Sequence, residues 1–282
     1  MIESICSSRL RKLFNSTYGR TIIIPLDHGL YVGNIKGLED PYGMTQTLIE
    51  EHVDATIMSL GLGKITNALF TDRDVPAKIL AIDYLLFSNI PGEHRGLQDY
   101  DLFFTIEQAL KWGFDVIKVL LVWGLDMELQ MKEIERIGRI VSQCDTWDMP
   151  LMIEPVLWGS HIPPDKRNDP DSIAHACRMA AEMGADILKV PYTGSVDHFR
   201  GIVEKTHLPV IILGGADMSS NEQVLRTARE SVLAGGVGIA FGRSVWQSRN
   251  PRAVIRALKD VVYEEKEVEE VLQRFALDPL VL

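Results

Sequence analysis

Eight short apolar runs, each closing on glycine or a polar residue and each followed by helical spacing, constrain this chain more than any other feature. They cover residues 21–29 (TIIIPLDHG), 55–63 (ATIMSLGLG), 77–84 (AKILAIDY), 116–124 (VIKVLLVWG), 150–159 (PLMIEPVLWG), 187–194 (ILKVPYTG), 209–216 (PVIILGGA) and 236–243 (GVGIAFGR). Near-continuous apolar stretches of this length are what strands buried on both faces of a parallel sheet look like. Between them, residues 126–144 open on an Asp cap and space Met127, Met131, Ile134, Ile137 and Val141 by threes and fours. Residues 169–183, 219–233 and 250–262 repeat the design, with Pro170 and Pro251 at first-turn positions. Eight alternations in 282 residues predict a closed (β/α)8 TIM barrel of α/β class rather than an open doubly wound sheet. The first strand ends in DHGLYVG and lacks a G-x-G-x-x-G turn. Residues 263–275 read as an extra C-terminal amphipathic helix, packing on the barrel or on a neighbouring subunit. No linker or shift in composition divides residues 1–282, which read as one domain.

With 29 basic and 39 acidic residues the net charge is −10, so the chain repels a nucleic-acid backbone, and nucleic acid is not an expected partner. A small anionic ligand needs only a local positive site. No apolar stretch approaches membrane-spanning length, and the charged N-terminus is unlike a signal peptide, which points to a cytoplasmic protein away from the membrane. Cys6, Cys144 and Cys177 form no C-x-x-C pair and read as incidental thiols.

Reactive groups of such barrels sit at the C-terminal ends of the strands, and inward positions deeper down are apolar. Polar residues inside the runs are therefore informative. Four stand out: Asp27 on the first strand, Lys118 on the fourth, Glu154 on the fifth and Lys189 on the sixth. By alternation, Lys118 shares its face with Val116, Leu120 and Val122, Glu154 with Met152 and Val156, and Lys189 with Ile187 and Pro191. A lysine buried on either face of the sheet must be paired or lose its proton. Two lysines and a carboxylate on successive strands are either a register-fixing network or a reaction centre. In the second case an amine made neutral by desolvation and a neighbouring cation attacks a ketone or aldehyde, and a carboxylate moves the protons. Gly214, Gly215, Gly242 and Arg243 fall in the loops after the seventh and eighth strands, where many barrels hold phosphate through close backbone approach and a charged donor.

At this point the sequence resembles the class I aldolases of the deoxyribose-phosphate/tagatose-bisphosphate aldolase superfamily, over nearly the whole chain. LDHGLYVGNIKGLED is similar to the first-strand motif of archaeal-type class I fructose-bisphosphate aldolases and of the autoinducer-2 thiolase. AEMGADILKVPYTG resembles the motif carrying their Schiff-base lysine, which implies that role for Lys189. VIKVLLVWGLD and PLMIEPVLWG resemble tagatose-bisphosphate and sulfofructose-phosphate aldolases, whose lysine and glutamate match Lys118 and Glu154. LGGAD and GIAFGRSVWQS match the phosphate loops. The archaeal aldolases carry a tyrosine proton donor on the fifth strand, and none stands at residues 156–159 here, which leaves Glu154 as the acid/base.

The resemblance implies a lyase that cleaves or forms a carbon–carbon bond of a phosphorylated ketose, with no metal or organic cofactor and with homo-oligomeric relatives. Two alternatives stay open: a thiolase-type acyltransferase using coenzyme A, which would rely on Lys189 and His28, and a non-catalytic barrel sensing sugar phosphate. His28 is either a proton-transfer group or a satisfied strand-end histidine. His28 and His161 alone lie near strand ends, too few for a zinc site. Trp123, Trp158 and Trp246 read as rim or core packing, His94 and Arg95 as solvated loop groups or contacts to a distal anion, and Tyr192 as packing.

Overall fold

The computed structural model describes residues 7–72, 74–93, 95, 97–215 and 218–279. Eight parallel strands close into a barrel: β1 (Thr21–Pro25), β2 (Ala55–Met58), β3 (Ala77–Ala81), β4 (Val116–Val122), β5 (Leu151–Val156), β6 (Ile187–Pro191), β7 (Val210–Leu213) and β8 (Gly238–Ala240). Each pairs with its sequence neighbours and β8 returns to β1, with helices between the strands and two more at the C-terminus, so the architecture is the expected TIM barrel. A two-stranded antiparallel hairpin, Asp83–Leu86 with Asp99–Leu102, leaves the barrel after β3.

A repeated acidic device sets the lower register. Asp54, Asp115 and Asp186 each stand one residue before β2, β4 and β6. Their carboxylates accept the N–H groups of Ile22 (2.6 Å), Lys78 (3.1 Å) and Leu151 (2.8 Å) near the start of β1, β3 and β5. Each satisfies a backbone donor that closure would otherwise leave unpaired. Burial pushes the Asp54 carboxyl up to about 6, against its hydrogen bonds from Tyr263 and Ile22. Closure of the last seam depends on Gly238, which pairs with Thr21 at φ +153°. A Cβ there would lie 2.0 Å from the Thr21 carbonyl oxygen. Gly238→Ala is therefore expected to lose about 3 kcal/mol or more of stability, read as a fall in the urea midpoint.

The interior is layered. Leu10, Leu13 and Phe14 from the N-terminal segment plug the bottom against Ile23, Ile57, Ile79, Val116, Met152, Ile187 and Ile211. Leu120, Val122 and Val156 form a separate apolar group higher up, against the hairpin's Leu85. The opposite faces, with Ile117, Val119, Leu121, Ile153, Leu188 and Val190, pack on the helices. Lys118, Glu154 and Lys189 share the inward parity and occupy the layer between.

Helix starts follow the sequence closely. Asp126, Asp169, Ser220 and Asn250 cap Met127–Trp147, Pro170–Glu182, Asn221–Leu233 and Pro251–Glu264, each accepting an N–H three residues on. Two expectations need correction. The buried stripe of Met127–Trp147 is Glu133, Ile137, Ile140 and Cys144, whereas Met127 and Met131 are exposed. The cause is the free edge of β4, which outlasts β3: Glu133 turns inward to accept the Val122 N–H at 3.0 Å and is itself paired with Arg136. The terminal helix is not 263–275. The preceding helix runs on to Glu264, Glu265 turns at φ 55°, and a new helix spans Val268–Arg274. It buries Val268, Val271 and Leu272, packs on Asn221–Leu233 and Pro251–Glu264, and pairs Glu267 with Arg229.

Among the described residues no helix is long and apolar enough to cross a membrane. Cys144 and Cys177 are buried, which pushes both thiols up to about 12. Cys6 lies outside the described residues.

Candidate active site

Register brings the three inward polar strand residues together. Leu120 pairs with Glu154 across β4 and β5, and Met152 with Ile187 across β5 and β6, so Glu154 stands between two lysines. One carboxylate oxygen of Glu154 lies 2.9 Å from Lys118 Nζ and the other 2.9 Å from Lys189 Nζ. Glu154 is 5% exposed, Lys118 3% and Lys189 8%. Burial alone would raise the Glu154 carboxyl, but the two ammonium groups outweigh it and hold the group below the usual carboxylate range. Glu154 is thus ionised at neutral pH, a single carboxylate shared between two ammonium groups.

Asp27 is not on β1. It follows the strand by two residues and precedes a short helix, His28–Val32. Its carboxylate lies 3.4 Å from His28 Nδ1 and accepts a hydrogen bond from the Tyr31 hydroxyl at 3.0 Å. Despite burial, His28, Lys118 and Lys189 hold Asp27 well below the usual range. Burial and the Asp27 charge push the Tyr31 phenol far above its ordinary value, which keeps it protonated.

The sequence pattern did not single out Tyr31 or Asp83. Asp83 was visible by the criterion that found the others, since it is the one charged residue near the C-terminal end of AKILAIDY. Fully buried, it accepts the Leu120 N–H at 2.6 Å and lies 3.7 Å from Lys118 Nζ. Tyr31 gave no signal, because the helix that aims it was not foreseen.

Two joined cavities open at the C-terminal end of the barrel. The smaller, about 150 Å³, is bordered by Gly214, Gly215, Gly242 and Arg243, with His28, Glu154 and Lys189. The larger, about 770 Å³, is bordered by Asp27, Tyr31, Lys118, Glu154 and Lys189. Lys118 reaches only the larger one; Lys189 borders both. A Cβ on Gly242 would stand 3.2 Å from Pro25 O and 3.3 Å from His28 Cε1, so the backbone here approaches both closely. Arg243 opens a four-residue helix after β8 and is exposed, and Ala216 and Asp217 of LGGAD lie outside the described residues.

The remaining residues sort as packing or rim. Trp246 is buried under the edge of His28, its indole N–H donating to Pro25 O at 3.1 Å. Trp158 borders both cavities, and Trp123 is half-buried against the core between strands and helices. Tyr192 packs on Phe199 and donates to Glu230 at 2.9 Å. Arg95 borders the larger cavity but is paired with Glu93 at 2.6 Å, and His94 lies outside the described residues. His161 is exposed on the loop after β5. Among the described residues no three His, Cys, Asp or Glu side chains are grouped to hold a metal ion.

A family model described as DeoC/LacD family aldolase matches residues 21–248, which takes in every strand of the barrel. The chain belongs to the DeoC/LacD aldolase family. DeoC/LacD members are class I aldolases, and the chain is accordingly a lyase by family. An uncharacterized aldolase of Saccharolobus solfataricus is 29% identical over 269 residues, with 94% of this chain and 97% of that protein covered. Fructose-bisphosphate aldolase class 1 of Halobacterium salinarum is 29% identical over 264 residues, covering 91% and 95%. The 2-amino-3,7-dideoxy-D-threo-hept-6-ulosonate synthase of that organism is 28% identical over 277 residues, covering 98% of each. The crystal structure of an archaeal fructose 1,6-bisphosphate aldolase matches with a TM-score of 0.79 at 25% identity, covering 92% of this chain and 99% of that one.

Proposed function

We propose that the protein makes or breaks a carbon–carbon bond of a phosphorylated ketose through a Schiff base on Lys189. One observation carries this reading: of the two lysines paired with Glu154, Lys189 alone borders both the glycine-and-arginine cavity and the larger one. A phosphate held by Gly214, Gly215, Gly242 and Arg243 puts a carbonyl one carbon away within reach of that amine. The rest of the ketose then lies toward Asp27, Tyr31 and Lys118.

In the cleavage direction the Lys189 ammonium passes a proton to Glu154, and the neutral amine attacks the carbonyl carbon. The carbinolamine oxygen departs as water with the Glu154 proton, leaving an iminium. Asp27 takes the proton of the hydroxyl beyond the scissile bond. That bond breaks, its electron pair passes to the iminium nitrogen, and an aldehyde leaves an enamine behind. Protonation of the enamine carbon and addition of water release the second product. His28, between Asp27 and the phosphate cavity, positions the substrate.

Relatives named for a fructose bisphosphate aldolase and for an amino-dideoxy-heptulosonate synthase stand at nearly equal identity. The first supports a phosphorylated ketose as donor class, and the pair leaves the aldehyde partner to experiment. Sodium borohydride added with dihydroxyacetone phosphate or fructose 1,6-bisphosphate should reduce the iminium to a stable secondary amine on Lys189, located by peptide mass spectrometry. Absence of an adduct with every ketose phosphate would sink the proposal, and turnover that requires coenzyme A would replace it by the acyltransferase reading.

A further inference from the structure

Two buried lysines share one glutamate, yet a Schiff-base enzyme needs a single nucleophile. Both border the larger cavity, so contact with that cavity does not by itself keep Lys118 from reacting. What differs is the remaining company of each ammonium group. Among the described residues Lys189 has Glu154 as its one ion-pair partner, whereas Lys118 also faces Asp83.

Asp83 occupies its place for a backbone reason. β3 pairs with β4 through Ala81 and Lys118, and the Ile82 N–H still reaches the Lys118 carbonyl at 3.2 Å. There the chain turns away into the hairpin, and the next β4 donor, the Leu120 N–H, would be orphaned. Asp83 Oδ2 takes that rung at 2.6 Å. This fixes the carboxylate at zero exposure and leaves Oδ1 with no hydrogen bond, 3.7 Å from Lys118 Nζ. An ionised oxygen, buried and without a donor, is costly unless a cation stands opposite it.

We infer that Asp83 is a positioning residue that holds Lys118 as a permanent cation and thereby assigns the nucleophile to Lys189. The inference rests on the Schiff-base reading above and adds to it the reason why one lysine reacts. The groups facing Lys118 are Asp83 from the hairpin, Glu154 from β5, and Asp27 from the loop after β1. Burial would lower the Lys118 ammonium, but the charges of Asp83, Glu154 and Asp27, with the Glu154 hydrogen bond, outweigh it and hold it above the usual lysine range. When Glu154 accepts the Lys189 proton its charge is cancelled, and Asp83 keeps Lys118 from losing its own proton at that moment. Lys118 thus stays a fixed positive neighbour through the step in which Lys189 becomes covalent.

The test uses borohydride trapping with dihydroxyacetone phosphate at pH 8 on four full-length proteins. These are the wild type, Lys189→Met, Asp83→Asn and the double variant Asp83→Asn/Lys189→Met. Asparagine keeps an oxygen for the Leu120 N–H while removing the charge. The wild type should carry its adduct on Lys189 and Lys189→Met should carry none. The double variant should gain an adduct on Lys118, and Asp83→Asn should divide its adduct between the two lysines. An adduct confined to Lys189 in Asp83→Asn, together with none in the double variant, overturns the inference. So does an adduct on Lys118 in Lys189→Met with Asp83 intact, a measurement that does not depend on Asp83→Asn folding. Absence of any adduct in the wild type would instead overturn the underlying Schiff-base reading.

Discussion

Lys189→Met should lower kcat for ketose-phosphate turnover by at least about 10⁴-fold, which corresponds to about 5 kcal/mol of transition-state stabilisation. Methionine approximates the length and volume of the side chain but has no electron pair to form the imine, and without an imine nothing withdraws electrons as the carbon–carbon bond breaks. Lys118 does not substitute, because it is held as a cation by the carboxylates of Asp83, Glu154 and Asp27. Binding of the phosphate end should survive, since Gly214, Gly215, Gly242 and Arg243 are untouched. The variant should therefore still bind dihydroxyacetone phosphate in calorimetry while failing in single-turnover assays. Retention of kcat within tenfold of wild type would rule out Lys189 as the nucleophile.

The fold was legible because both faces of each parallel strand are buried, so the runs are apolar throughout and stand out against the helices. Parity along the runs also grouped Lys118, Glu154 and Lys189 correctly with their apolar neighbours. It did not say whether that face looked inward, because a two-sided strand carries no polarity mark. The barrel decides this from below, where Leu10, Leu13 and Phe14 plug the bottom of the interior. That plug comes from a stretch too short to show helical periodicity.

The face of Met127–Trp147 was misread for the opposite reason: its apolar residues mark a stripe that the tertiary structure overrides. The unpaired Val122 N–H draws Glu133 inward, and a charged side chain cannot be recognised as core from hydropathy. The same edge of β4 draws in Asp83. Glu133 and Asp83, missed or misassigned from sequence, satisfy backbone donors where β4 outruns β3. Strand lengths set that requirement, and they follow from closure of the barrel rather than from local sequence.

Glu154→Gln should act on rate and stability together, with different pH signatures. The amide no longer accepts the Lys189 proton, so carbinolamine formation and dehydration lose their base and acid, and kcat should fall by about 10³-fold. Shape and hydrogen-bond reach are kept, so binding at the phosphate end should change little. Removing the shared anion also leaves a buried ammonium without its counterion, a loss of about 3 kcal/mol at neutral pH. The sign with pH follows from linkage. Glu154 is held below the usual carboxylate value of about 4.5 in the folded protein. Between the folded and unfolded values the unfolded chain therefore binds more protons, and the contribution of Glu154 to stability grows with rising pH through that window. It is fully present above about pH 4.5 and is lost as pH falls through the folded value. Urea unfolding of wild type and Glu154→Gln should accordingly show a stability gap that is constant from pH 6 to 8 and narrows below pH 4. A gap that stays open in acid would mean that packing, rather than the charge shared between Lys118 and Lys189, is what Glu154 contributes to the fold.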